Sequence, residues 1–262
     1  MAYYFEAVKR PFYIVILLLS FLSKASADTV ITKEEMKLVK IQQAIDSLLA
    51  GTSEYNDINT LNNTKTEVLL SYLQHSTKEI NYNYLATKGV FNFTQSKDKK
   101  FKILGWDTYT GGTMHFYESI CVYQSKQKRH VKILNEGEDN YKYYYNKVEQ
   151  VSIGNKVYYL PIGMGRFSTS EYVAIIENYY IDPNGILRSD SIFRTTNAKL
   201  DCIAVQYNLF KNIEELERNT KLIRLSNNAN LIEIAIIDSD GKFLNRYLRY
   251  YKRRDGYYFK RT

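Results

Sequence analysis

Metal and redox chemistry have little to work with in this chain. Among 262 residues there are three histidines and two cysteines. His75, His115 and His130 share no ligand spacing such as H-E-x-x-H, and the cysteines form no C-x-x-C pair, so no metal site is expected. The Rossmann and P-loop glycine spacings are both missing, and no cofactor is expected. Asp238-Ser239-Asp240-Gly241 starts like a calcium loop, but the closing glutamate that the loop requires is absent, so it reads as a hairpin turn. No apolar run reaches the roughly 20 residues that a membrane-spanning helix needs. No internal repeat is evident.

Proline (3) and glycine (12) are also sparse, while 25 tyrosines and 12 phenylalanines bring aromatics to 15%. Aromatic and β-branched side chains fit pleated, half-buried surfaces, which favours strands. With 45% hydrophobic and 24% charged residues the composition is that of a folded chain rather than a disordered one, and its length can bury a sizeable core.

The first 27 residues read as a signal peptide. Lys9 and Arg10 precede a 12-residue apolar stretch, Phe12–Ser23, and Ala25-Ser26-Ala27 gives a small-x-small cleavage site. The expected location is the periplasm or the exterior. Cleavage there removes Lys9, Arg10, Lys24 and Glu6, a net two positive charges, from the chain's +8, leaving a basic mature protein. In an oxidising compartment Cys121 and Cys202 either close a disulfide across a long loop or remain as buried apolar thiols.

Residues 28–89 are expected to form a helical segment and 90–262 an antiparallel β domain, either a sandwich or a propeller-like meander. Thr32 and Glu35 make a capping box, and Leu38, Ile41, Ile45, Leu48 and Leu49 follow at helical spacing up to Gly51, which predicts a helix over 33–50. The Asn/Thr-rich stretch Thr52–Lys65 reads as a loop, and a shorter helix is expected over 66–74. From Val90 the period shifts towards two. Strands are expected at 90–94, 101–106, 114–123, 141–153 and 156–162, with others to the terminal pair at 243–251 and 257–260. Polar turns such as Asp182-Pro183-Asn184-Gly185 make antiparallel pairing the default. A further helical turn is expected at 213–218.

Three clusters are candidates for chemistry. In Gly105–Tyr117, Asp107 and His115 have the character of an acid–base pair for a hydrolase, and Trp106, Thr108, Gly111 and Gly112 have that of a ligand-contacting hairpin. The structural alternative makes Trp106 a core anchor and the glycines turn residues. Pro161–Ser170 carries Gly163, Gly165 and Arg166 in an anion-cradling composition, or is a simple strand terminus. The C-terminal stretch interleaves Arg249, Lys252, Arg253 and Arg254 with tyrosines, which suits a polyanion surface or else a solvated hairpin edge. Export weighs against nucleic acid and towards an envelope polyanion, glycan or protein partner.

The stretch Gly105-Trp106-Asp107-Thr108 followed by Gly111-Gly112-Thr113-Met114 resembles the diagnostic segment of a family of uncharacterised exported β-rich proteins of Gram-negative bacteria. Tyr158-Tyr159-Leu160 with Gly163, Gly165 and Ser168 is similar to a second family stretch, as are Asp240-Gly241 and Gly256–Phe259. The resemblance spans about 67–259 and implies an exported β architecture with no known activity. The sequence therefore points to an exported binding or interaction module, with a hydrolase or a polyanion-binding surface as alternatives.

Overall fold

The computed structural model describes residues 31–51, 55–134, 143–214 and 221–260. The expected signal peptide lies outside these residues, as does most of the expected helical turn at 213–218, of which 213–214 are helical. Among the described residues the chain folds into three helices followed by three mainly antiparallel sheets.

The first helix, α1 (Lys33–Ala50), begins as its capping box requires. Glu35 N donates to Thr32 Oγ1 at 3.1 Å, and Thr32 N returns a bond to Glu35 Oε2 at 2.9 Å. Glu35 does more than cap. Its other oxygen accepts from Tyr72 Oη at 3.1 Å on α2 (Tyr55–His75) and from the backbone N–H of Asn81 at 2.9 Å. Asn81 is in turn the N-cap of α3 (Tyr82–Thr87), a helix with no counterpart in the sequence reading. One buried carboxylate thus joins the starts of two helices to the last turn of a third.

Helix α2 corrects the expected loop at 52–65, because residues 55–65 are helical. Asn and Thr disfavour helix interiors by competing for backbone groups. Here that competition is absorbed within the helix: Thr64 and Thr66 bond back to the carbonyls of Thr60 and Asn62, and Asn62 bonds the carbonyls of Ile58 and Thr108. Ile58, Asn62, Lys65, Leu69 and Leu73 form the buried stripe.

The first sheet runs β1-β2-β3-β4, from β1 (Asn92–Gln95) through β2 (Phe101–Asp107) and β3 (Tyr117–Ser125) to β4 (Lys128–Ile133). Alternation along β2 divides its side chains between two cores. Leu104 and Trp106 join Leu38, Leu69, Tyr72 and Leu73 beneath the helices, whereas Phe101 and Ile103 join Tyr145, Val148, Tyr159 and Ile175 of the second sheet. The second sheet contains β5 (Tyr144–Ile153), β6 (Lys156–Arg166), β7 (Glu171–Glu177), β8 (Tyr179–Ile181), β9 (Leu187–Arg188) and β12 (Cys202–Asn208). Its opposite face, with Tyr158, Leu160, Ile176 and Val205, packs on Phe193, Ile232, Ile234, Tyr250 and Tyr257 of the third.

That third sheet has the order β11-β10-β16-β15-β14-β13: β10 (Phe193–Arg194), β11 (Lys199–Leu200), β13 (Ile223–Leu225), β14 (Leu231–Ile237), β15 (Phe243–Arg253) and β16 (Gly256–Lys260). The sheets therefore stack in layers, as in a sandwich and not a propeller, with the middle sheet buried on both faces. Antiparallel pairing holds except between β10 and β16, which run parallel.

Two local features depart from the sequence reading. Strand β6 extends through Arg166, so Gly163 and Gly165 lie within a strand and form no anion-cradling loop. Their missing side chains admit β5: a Cβ on Gly163 would stand 2.5 Å from Tyr144 O, and one on Gly165 would stand 3.1 Å from the Tyr143 ring. A strand expected over 172–181 breaks at fully buried Asn178 into β7 and β8. Its amide exchanges bonds with Asp190, donating to the carbonyl at 2.7 Å and accepting from the N–H at 3.2 Å, and also donates to Asp201 O at 2.6 Å.

Cys121 is buried and Cys202 half-buried against the same core, and both are free thiols. The disulfide alternative is not what the structure holds. Burial raises both thiols, Cys202 to about 11 with Asp201 adding to the effect, so both are protonated at neutral pH.

Candidate functional site

The end of β2 lies where the helix layer meets the first two sheets, and a cleft of about 260 Å³ opens there. Gln42 of α1 and Lys65 of α2 line one side. Trp106 and Asp107 of β2, Tyr109 just after it, Tyr117 of β3, and Tyr144 and Met164 of the second sheet line the rest, with Phe91 at the base of β1. Five of these side chains are aromatic, and Gln42, Lys65, Asn92 and Asp107 bring polar groups to the same cleft, the combination of ring faces and convergent polar groups that small-molecule sites carry.

Asp107 and His115 meet as the sequence suggested. Strand β2 points Asp107 away from the helix side, and the backbone of His115 bonds to Arg166 O of β6 at 3.1 Å, outside β3. Met114 and His115 thus lie in the turn preceding β3, a correction to the strand expected from 114. The Asp107 carboxylate takes His115 Nδ1, while Arg166 Nη1 lies 2.7 Å from His115 Nε2. Arginine can only donate, so Nε2 is the acceptor and the proton sits on Nδ1, facing Asp107. Arg166 Nε is also bound to Ser168 O at 3.1 Å.

This closed relay differs from a hydrolytic dyad. A general base needs a free imidazole lone pair within reach of a nucleophile. Here Arg166 occupies that lone pair, and no described Ser, Thr or Cys side chain bonds to the imidazole. The second oxygen of Asp107 is also committed, accepting the Tyr109 N–H at 2.8 Å.

The remaining hairpin candidates have structural roles. Thr108 bonds Phe116 O and Thr110 with its hydroxyl. A Cβ on Gly111 would stand 1.9 Å from Met114 O, and Gly112 has φ +61°, so the pair shapes the turn. Neither glycine lines the cleft.

The residue that sequence reasoning missed is Lys65. It is 1% exposed, donates to Gln42 Oε1 at 2.7 Å and sits 4.8 Å above the centroid of the Trp106 ring. Burial drives its amine down to about 7, opposed only by Asp46, which is bonded to Gln42 at 2.8 Å. No carboxylate lies within ion-pair distance among the described residues. Trp106 is 3% exposed, and its indole N–H has no acceptor among the described residues. Burial pushes Tyr117 up to about 12, helped by Asp107, and raises Tyr109 and Tyr144 as well, so these phenols stay neutral. The legible signal was position: Lys65 falls three residues after Asn62 and four before Leu69 on one helical stripe.

The basic C-terminal residues lie on the third sheet, apart from the cleft. Arg249 pairs with Glu233 at 3.0 Å, Lys252 is half-buried, and Arg253 and Arg254 are exposed at the β15–β16 turn. Arg194 lies over Tyr258 and is paired with Asp255 at 2.8 Å. Among the described residues no group of three or more His, Cys, Asp or Glu side chains is placed to hold a metal, and no helix is long and apolar enough to cross a membrane. No family model, curated protein or solved structure matches the chain.

Proposed function

We propose that this chain is an exported binding protein whose ligand site is the aromatic cleft at the end of β2. The observation that carries the reading is the convergence of Trp106, Tyr109, Tyr117 and Tyr144 with a few polar groups around an open cleft of about 260 Å³. A space of this size, just under the roughly 300 Å³ at which pockets for drug-sized ligands begin, suits a small molecule or one terminal group of a glycan or other envelope component. Its polar edge is rigid. Asp107 is held by His115 and Arg166, and Lys65 by Gln42, so little ordering is lost when a ligand enters.

The hydrolase reading is weaker, since the Asp107–His115 pair is closed by Arg166 and lacks a nucleophile. Polyanion binding keeps Arg253 and Arg254 as its exposed cations, but Arg249 is already paired with Glu233. Export rests on the signal pattern of residues 1–27 and on the family resemblance.

Ligand-observed NMR with a mixture of small neutral, anionic and cationic aromatic compounds tests the site. Saturation transfer that disappears in Tyr144→Ala and Tyr117→Ala supports the cleft. Transfer from none of the compounds, or transfer indifferent to both variants, overturns it. For the compartment, N-terminal sequencing of protein from the expressing bacterium is expected to begin at Asp28; an intact Met1 would remove export.

A further inference from the structure

We propose that the cleft takes a small aromatic carboxylate, whose oxygens accept from the Lys65 ammonium and the Trp106 indole N–H. The proposal rests on the binding-site reading and names the ligand's chemistry. Two buried donors on adjoining side chains line the same cleft with incomplete partners. Lys65 spends one of its three N–H donors on Gln42, and Trp106 Nε1 has no acceptor. Buried polar groups are almost always satisfied, and a buried lysine is seldom found without an anion. An indole N–H without an acceptor, beside an ammonium with N–H groups to spare, calls for a charged acceptor with two oxygens.

Asn62 Oδ1, three residues back on the same stripe, is a buried acceptor without a partner but uncharged, and no charged acceptor pairs with Lys65 among the described residues. From α1, Gln42 faces it, with Asp46 behind that amide. On its own helix its stripe neighbours are Asn62 and Leu69. From β2 come Trp106 and Asp107, and both Asp107 oxygens are engaged, by His115 and by the Tyr109 N–H. Tyr109, Tyr117 and Tyr144 contribute neutral phenols, which do not repel an anion. The rings, with Phe91, would cover the ligand's apolar body, and a cationic ligand would meet Lys65 as a like charge.

An arriving carboxylate would favour the charged amine. Above pH 7, where the free protein's Lys65 is losing its proton, binding would therefore take one up. Carboxylate affinity is then flat below pH 7 while the ligand stays ionised. It falls as pH rises above 7, by at most about tenfold per pH unit, since one proton is exchanged.

Trp106 is the one tryptophan in the chain, so intrinsic fluorescence reads this cleft directly. The experiment titrates the full mature chain with phenylacetate, its neutral isostere phenylacetamide, and phenethylamine at pH 6.5, 7.5 and 8.5. Phenylacetate is expected to bind about tenfold or more tighter than the amide at pH 6.5 and to lose that margin at pH 8.5, while the amide is unchanged. Lys65→Met is expected to erase the margin. If that variant fails to fold by circular dichroism, the wild-type charge and pH series decides alone. Equal or tighter binding of the amide overturns the carboxylate proposal and leaves the cleft a binding site. A folded protein whose fluorescence answers to none of the three overturns both.

Discussion

Glu35 and Asn81 lie 46 positions apart in sequence, yet the Glu35 carboxylate accepts the Asn81 N–H at 2.9 Å, so a residue in the first turn of α1 positions the cap of α3. The same carboxylate accepts from Tyr72 and Thr32. Glu35→Ala is expected to leave buried donors without acceptors and to cost about 3 kcal/mol, at roughly 1 to 3 kcal/mol for each orphaned group. Urea unfolding checks this; a loss under about 0.5 kcal/mol, typical of an inert surface change, would show that the three bonds are dispensable.

The pH dependence of stability follows from Lys65 and the tyrosines, with opposite signs. Lys65 holds its proton less tightly folded, near 7, than unfolded, at 10.5. Between those values the unfolded chain binds more protons, so stability rises with pH, by at most about 1.4 kcal/mol per unit. Tyr82, Tyr117 and Tyr207 are pushed by burial to about 12 from 10.0, so the stability of the neutral phenols is present below pH 10 and lost between 10 and 12. Denaturation midpoints at pH 7, 8, 9 and 10 are expected to climb in the wild type and flatten in Lys65→Met. Parallel profiles would show that Lys65 is not the titrating group.

Asn178 substitutes for a stretch of strand, bonding both backbone groups of Asp190 and the carbonyl of Asp201. Asn178→Ala is expected to destabilise by about 3 kcal/mol through those orphaned groups. Asn178→Asp should fare no better, because a carboxylate cannot donate to two carbonyls. If Asp matches Asn in a thermal melt, the assigned amide orientation is wrong.

The adjacent glycines of the hairpin turn should respond differently to alanine. Gly111→Ala drives a Cβ into Met114 O, whereas Gly112→Ala meets open space and only the strain of φ +61°, about 1 to 2 kcal/mol. Melting temperature is expected to fall further for Gly111→Ala. Equal losses would locate the constraint in the backbone angle and not in the close approach.

Both cysteines are expected to alkylate without prior reduction. Iodoacetamide in denaturant should add two groups per chain by mass spectrometry, and in the folded state half-buried Cys202 should react before Cys121. An unreduced chain that adds none would mean the thiols are joined after all.

Much of the architecture was legible because it depends on local rules. Thr32 and Glu35 announced α1, and the polar turns fixed the main hairpins. The N-terminal half of α2 was not legible, since its Asn and Thr residues are satisfied by contacts such as Asn62 to Thr108 O, 46 residues away. The Asp107–His115 pair could be seen from proximity in one hairpin. Arg166, named as a separate loop residue, is joined to it by the bridge between His115 and the end of β6, a contact across 51 positions that no local pattern announces. Lys65 was hidden for a related reason: it closed the expected loop at 52–65, and only a helix that already begins at Tyr55 puts it on the buried stripe.

The place of β16 in the third sheet bears on how the chain is made. Residues 256–260 form an inner strand, flanked by β15 on one side and by the parallel β10 on the other, and Tyr257 is fully buried between sheets. During synthesis the β10–β11 pair and the β14–β15 hairpin can each form as their residues emerge, but the third sheet stays split until β16 follows them. Its β14–β15 hairpin and the β10–β11 pair must wait, edges bare, for one late strand to join them. A chain cut before β16 would therefore leave the third sheet in two pieces with open, aggregation-prone edges.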